Sequence, residues 1–268
     1  MTPTPRTLTP ESQSPLCLPP LSVVVVARNE AERLPALLAD LAAGSALVRE
    51  VLVVDGGSDD RTALVARLAG ARLIHGHRGR GQQLAAGMAA SDGPWLLLLH
   101  GDVRLPPLWQ RMVAAAIASP DGNRPGPGQS AWYFDLAIEG DDLALRLVEA
   151  AVALRSRWGQ RPYGDQGLLL PRDLVGRSGG IAPLPLMEDL EFVLRLRRLA
   201  TLRALPGALR VNGARWRQLG VWQTTWSNAR LRRQWRRGMA AELLAQRYGA
   251  YQKAQRRCRG SSSQPCCS

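Results

Sequence analysis

Between residues 21 and 119, short aliphatic runs alternate with helix-length amphipathic segments, and this rhythm leaves few architectures open. Leu21–Ala27 is a β-branched run suited to a strand buried on both faces. Glu30–Ala43 follows, with Leu34, Leu37, Leu38 and Leu41 at helical spacing. The alternation continues with strands expected at Glu50–Val54, Arg72–His75 and Trp95–Leu99, and helices at Thr62–Ala69, Gly81–Ala90 and Pro107–Ser119. Strands separated by single helices predict an α/β fold, with a mainly parallel sheet wound through right-handed crossovers.

The second half is less regular. Asp121–Ser130 is rich in Gly and Pro and reads as a loop. The pattern then predicts a strand at Ala131–Ile138, a long helix at Asp142–Trp158, a strand at Gly167–Pro171 and a helix at Glu188–Ala200. Leu202–Val211 reads as extended. Gln218–Gln246 reads as a helical arm carrying Trp222, Trp226 and Trp235 among many arginines. The expected organisation is a flexible leader (1–19), a main α/β domain (20–212), a basic arm (213–252) and a disordered tail (253–268).

At 268 residues and 46% hydrophobic, the chain can bury a full core. Its longest aliphatic runs, Val23–Val26 and Leu96–Leu99, fall far short of the roughly 20 apolar residues that cross a bilayer. The opening, rich in Pro, Thr and Ser, does not read as a secretory leader, so a cytoplasmic location is expected. Cys17, Cys258, Cys266 and Cys267 lie in the terminal tails and match no zinc spacing; they read as free thiols, or Cys266–Cys267 as a soft-metal trap.

The net charge of +13 is unevenly spread. From Arg195 onward, 17 Lys and Arg residues face the single Glu242, whereas the first 194 residues are slightly acidic. Three readings of the arm stay open: docking over the main domain with arginines on an anionic ligand, binding to an anionic membrane surface, and binding nucleic acid. The last lacks a recognised module. Trp222, Trp226, Ala229 and Ala240 share one side of a helical wheel, with Arg233 intruding.

In a parallel α/β sheet, ligands bind at the carboxyl ends of the strands. Here three predicted strands end in polar groups: Ala27-Arg28-Asn29-Glu30, then Asp55-Gly56-Gly57-Ser58-Asp59-Asp60-Arg61-Thr62, then His100-Gly101-Asp102. Carboxylates gathered there suit a divalent cation and the polar edge of a nucleotide. Simpler roles compete. Asp59 and Asp60 also fit a helix cap, Glu188-Asp189 a helix dipole partner, His100-Gly101-Asp102 a turn, and Arg80 a solvated charge.

Over roughly residues 21–200 these segments resemble inverting glycosyltransferase family 2, whose fold is the GT-A type. The resemblance implies a nucleotide-sugar-binding first strand through Ala27, Asn29 and Glu30. It also implies nucleoside contacts from Asp55 and Asp59, and a donor contact from Arg80. His100-Gly101-Asp102 resembles the family's metal motif, which implies Asp102, with His100 as a second ligand, for Mn²⁺ or Mg²⁺. Glu188-Asp189 resembles the motif whose Asp is the catalytic base. Asp165 and Gln166 fall on the acceptor-side loop. Two departures stand out: Gly56 occupies a position where a second Asp is common, and His100 begins the metal motif in place of Asp. The implied partners are a UDP- or GDP-linked sugar and an acceptor of unread identity.

Gly81-Gln82-Gln83-Leu84, Leu99-His100-Gly101-Asp102 and Tyr163-Gly164-Asp165-Gln166 also resemble a small stand-alone bacterial subfamily associated with arsenosugar biosynthesis. Other enzyme classes fit less well. The first strand leads into no Gly-X-Gly-X-X-Gly turn, which disfavours a dinucleotide oxidoreductase. Residues 27–35 hold no Gly-rich basic loop of the kind a nucleotidyltransferase would use. A non-catalytic polyanion-binding protein would leave Asp102 and Asp189 without a role.

Overall fold

The computed structural model describes residues 20–76, 79–123 and 129–248. The predicted leader, the tail beyond Lys253 and all four cysteines lie outside them.

Eight strands form one mixed sheet in the order β3-β2-β1-β4-β7-β6-β8-β5. β1 (Leu21–Ala27), β2 (Val48–Asp55), β3 (Arg72–His75) and β4 (Trp95–His100) run parallel to one another. β7 (Leu168–Pro171) joins β4 antiparallel and leads to β6 (Ser130–Ile138). β8 (Thr201–Val211) pairs parallel with β6, and the two-residue β5 (Val103–Arg104) closes the edge against β8.

The unbroken aliphatic runs follow from cores on both faces. Val23, Val25, Val53, Leu97 and Leu99 meet α1 (Leu34–Ala42), α4 (Trp109–Ala118) and α6 (Leu143–Gly159). The alternate residues Val24, Val26, Leu52, Val54, Leu96 and Leu98 meet α3 (Arg80–Ala90), α7 (Arg172–Ser178) and α8 (Glu188–Leu196). Period-two alternation thus feeds two layers, and each fully buried Val or Leu contributes about 1.5–3 kcal/mol. α2 (Thr62–Leu68) links β2 to β3.

The expected strands are present, and Asp142 caps α6 by accepting from the Ala144 N–H at 2.8 Å. The segment read as the loop Asp121–Ser130 begins with a single helical turn, α5 (Pro120–Asn123). The arm is not one helix. It divides into α9 (Ala214–Leu219), α10 (Val221–Arg236) and a last helix at residues 241–248. Gly220 and Gly238, at φ 81° and 88°, make the breaks, in a backbone region that glycine enters without a Cβ penalty. The pieces fold back on the main domain: Leu231, Trp235 and Leu244 pack with Tyr163, Leu186, Met187 and Leu190.

Candidate active site

Strand register sets the site. Ala27 lies opposite Asp55, and Val26 opposite His100, so three strand ends share one sheet edge. Asp55 is 4% exposed and accepts from the Ser58 N–H at 3.1 Å and from the Ser58 hydroxyl. Asn29, at φ 57°, donates its N–H to Ser58 Oγ at 2.9 Å, and its side-chain oxygen accepts from the Asp59 N–H at 2.8 Å. The loops after β1 and β2 are therefore stitched together. Asp60 does the capping: it accepts from Thr62 N at 2.9 Å and from Ala31 N at 3.1 Å. Burial opposes its charge, yet these bonds hold its carboxyl below the usual range.

Gln83 braces this edge from beneath. Its amide donates to Ala27 O and Val54 O, both at 3.1 Å. A Cβ on Gly56 would stand 2.4 Å from that amide nitrogen. The departure at Gly56 thus has a steric cause: the space is taken by Gln83.

Across the site, α3 presses on the stretch before α8. A Cβ on Gly81 would lie 2.6 Å from Ala182 O and 2.8 Å from Leu184 O. This approach sets Arg80 Nε 3.2 Å from Glu188 Oε1. Glu188 is 1% exposed, and burial raises its carboxyl pKa despite the Arg80 charge. Met187, just before it, sits at φ 68°, a costly conformation for a residue with a side chain, and packing with Tyr163, Leu190 and Leu244 holds it there. Asp189 Oδ2 accepts from the Gly164 N–H at 2.8 Å and Oδ1 from Leu190 N at 2.7 Å.

Arg80, His100, Asp102, Asp165 and Asp189 line one cavity of about 290 Å³. Enclosure first, then the Arg80 charge, pushes the His100 imidazole below its ordinary pKa, so it is neutral near pH 7. Burial raises the Asp165 carboxyl, and its Oδ1 is enclosed without a hydrogen-bond partner. Burial and then the Asp102 charge push Glu30 up to about 7. Among the described residues no three His, Cys, Asp or Glu side chains gather as a cation cage. The donor set fits a cation in another way: Asp102 faces the cavity, and its repulsion of Glu30 is one a cation would relieve. Mg²⁺ commonly takes one or two carboxylates and completes its shell with water and substrate phosphates.

Of the residues expected in the site, Arg80, His100, Asp102, Asp165 and Asp189 line the cavity, Ala27, Asn29, Glu30 and Asp55 lie at the strand ends and in the loop after β1, and Glu188 stands behind Arg80. Asp59 has an exposed side chain on the nucleoside-side loop. Gln166 is fully buried; its oxygen accepts from Arg155 at 2.9 Å and Ser156 at 2.8 Å, and its nitrogen donates to Phe134 O at 3.1 Å. It shapes the loop and does not face the cavity. Tyr163, which opens the Tyr163-Gly164-Asp165-Gln166 motif, also lines the cavity, as do Asn212, Arg215, Arg232 and Tyr248, which sequence reasoning did not single out. For Arg215, Arg232 and Tyr248 the sequence signal was the arm's excess of Arg and aromatics.

The family model Glycosyl transferase family 2 matches residues 22–147. A TPR repeat-containing protein of Synechococcus elongatus is 38% identical over 87 residues, covering 32% of this chain and 21% of that one. The 4,4'-diaponeurosporenoate glycosyltransferase of Staphylococcus haemolyticus is 47% identical over 55 residues, covering 20% and 14%. The chain therefore spans about a fifth or less of the length of these relatives. In fold it is similar to glucosyl-3-phosphoglycerate synthase from Mycobacterium tuberculosis, solved with Mg²⁺ and uridine diphosphate: TM-score 0.52 at 20% identity, covering 71% of this chain and 70% of that one. The architecture is that of a GT-A fold, and residues 22–147, from β1 into α6, are similar to the Glycosyl transferase family 2 model.

Proposed function

We propose that this protein is a glycosyltransferase that moves a sugar from a nucleoside diphosphate donor to an acceptor hydroxyl with inversion. One observation carries the reading: Asp102, Arg80 and Asp189 face a single cavity at the carboxyl edge of the parallel strands. The nucleoside would lie along Ala27, Asn29, Asp55 and Asp59, over the edge that Gln83 braces. Arg80, steadied by Glu188, would meet the donor phosphates. Asp189 would take the acceptor's proton as its oxygen forms the new bond to the anomeric carbon and the bond to the diphosphate breaks. Bound at Asp102 with His100 beside it, Mn²⁺ or Mg²⁺ would supply charge neutralisation for the leaving diphosphate.

Calorimetric titration with UDP and GDP, with and without Mn²⁺ or Mg²⁺, tests this reading. A metal-dependent binder whose metal dependence disappears in Asp102→Ala is expected. A panel with none counts against the assignment.

Two finer readings accompany it. Trp222 and Trp226 on α10 point outward, 63% and 65% exposed, beside exposed arginines, which suits an anionic membrane surface on the cytoplasmic side. No helix among the described residues is long and apolar enough to cross a membrane. Co-sedimentation with anionic vesicles at low salt is expected, and its absence removes the idea. The likeness to the subfamily associated with arsenosugar biosynthesis raises a link between the Cys266–Cys267 pair and arsenic, for which a thiol- or arsenic-bearing acceptor is the probe. Turnover of such an acceptor that is unchanged when residues 258–268 are removed would separate the cysteines from it.

A further inference from the structure

The cavity wall opposite the nucleoside edge carries two arginines that form no direct ion pair among the described residues. Arg215, just after β8, and Arg232, on α10, both line the cavity. Arg80 on the donor side has Glu188, but no carboxylate lies within 4.0 Å of Arg215 or Arg232 among the described residues. Both are nevertheless held in place. Arg215 donates to the Tyr248 hydroxyl at 2.5 Å and to Asn228 Oδ1 at 3.3 Å, and its Nε is enclosed without a partner. The Arg232 guanidinium carbon sits 5.2 Å from the centre of the Tyr163 ring. Asp165, in the same cavity, is a counter-charge that acts on Arg232 from beyond ion-pair distance. Two fixed guanidiniums with no carboxylate in direct contact, on a concave wall, are a ready receptor for a phosphate or carboxylate.

Their place in the sheet decides which substrate they meet. The nucleoside edge lies on β2 and β1, and Asp102 follows β4. Asp189 comes next, tied to Gly164, and Tyr163 immediately precedes that glycine. Arg232 stands over Tyr163, and Arg215 follows β8, three strands beyond β4. In an inverting displacement the base and the leaving diphosphate lie on opposite sides of the anomeric carbon. Groups beyond the base therefore face the acceptor. The geometry points to an acceptor-side anion subsite built from Arg215 and Arg232, so that the acceptor is a hydroxyl compound bearing a phosphate or carboxylate group. This inference rests on the reading of Asp189 as the base.

The test uses the full chain in calorimetric titrations. UDP with Mg²⁺ is titrated first; glycerol 1-phosphate, with glycerol as the uncharged control, is then titrated into the loaded protein. Glycerol 1-phosphate is expected to bind at millimolar concentration and glycerol not to bind. Arg215→Gln and Arg232→Gln are each expected to weaken the phosphate probe at least about tenfold and to leave UDP binding within about twofold. Arg232→Lys, which keeps the charge, is expected to retain more of the binding than Arg232→Gln. UDP binding that falls tenfold in both Gln variants, with no binding of the probe, would assign the arginines to the donor diphosphate and overturn the proposal. Failure of the probe on protein that binds UDP would also overturn it, leaving the donor reading intact. Arg232-dependent binding of the probe without any UDP binding would support the anion subsite and sink the donor reading instead.

Discussion

The Gly164 N–H donates to Asp189 Oδ2 at 2.8 Å, joining the loop before β7 to the first turn of α8. A Cβ on Gly164 would lie 3.3 Å from that oxygen and 3.1 Å from His100 Nε2, closer than side chains normally pack. The carboxylate is thus held against the cavity by backbone on both sides, since Leu190 N bonds its other oxygen. Each oxygen retains a lone pair for an incoming hydroxyl.

Asp189→Asn tests that role directly. The amide oxygen can keep the bond from Gly164, so the fold should persist, but the group can no longer accept a proton. Turnover, followed as release of the nucleoside diphosphate, is expected to fall about 10²–10⁴-fold. UDP binding should stay within about twofold. A variant as active as the parent would remove Asp189 from the chemistry.

The Gly56–Gln83 packing makes a second prediction. Gly56→Asp would restore the acidic residue common at this position, but its Cβ would collide with the Gln83 amide. Gln83 cannot move without breaking its amide's bonds to the carbonyls of Ala27 and Val54 and stranding a buried donor. The expected loss is about 1–3 kcal/mol of stability, measured by urea unfolding. Adding Gln83→Ala should relieve the collision, so the double variant should lose clearly less than the sum of the two single losses. Strict additivity would show that the two residues do not compete for space.

Glu188→Gln keeps the shape of a buried side chain and removes the charge beside Arg80. Breaking a fully buried ion pair costs about 3–5 kcal/mol. Arg80 keeps 46% of its side chain in solvent, so a loss on the order of 1–2 kcal/mol is expected here. UDP binding should weaken about tenfold if Glu188 holds Arg80 toward the donor. Unchanged binding in a folded variant would leave Glu188 a purely structural residue.

How far these features could be read from sequence depended on which forces were local. β1 matches its expected limits because a β-branched run buried on both faces leaves a signal in the chain itself, whereas the half-exposed β3 was placed by its position in the strand–helix rhythm. α7 left little trace: it has no side-chain cap at its start and buries only Leu174 and Ser178. Gln166 shows the limit at the site. Its neighbour Asp165 lines the cavity, but adjacent side chains diverge, and only the packing of Ser156, Arg155 and Phe134 reveals that Gln166 turns inward. Arg215 and Arg232 were illegible for another reason. Composition marked the arm as basic, but the breaks at Gly220 and Gly238 and the docking on Leu186 and Leu190 select which arginines reach the cavity.

The last prediction concerns pH. Burial and the Asp102 charge raise the Glu30 carboxyl from 4.5 to about 7, with Arg33 pulling the other way. Between those values the folded chain binds more protons at this residue than the unfolded chain does. Stability therefore falls as pH rises from about 4.5 to about 7, and the loss persists above that window. Glu30→Gln stays neutral throughout and should escape this loss. Relative to the parent, the variant should gain on the order of 1–2 kcal/mol between pH 5 and pH 8. This is less than the full shift implies, because the side chain is partly solvated. Urea unfolding of both proteins at the two pH values measures the difference. Mg²⁺ bound at Asp102 would offset the repulsion that Glu30 feels, so saturating Mg²⁺ should shrink the gap. A parent and variant with parallel pH profiles would mean that neither burial nor Asp102 raises the Glu30 carboxyl, and would remove the repulsion offered here as support for a cation beside Asp102.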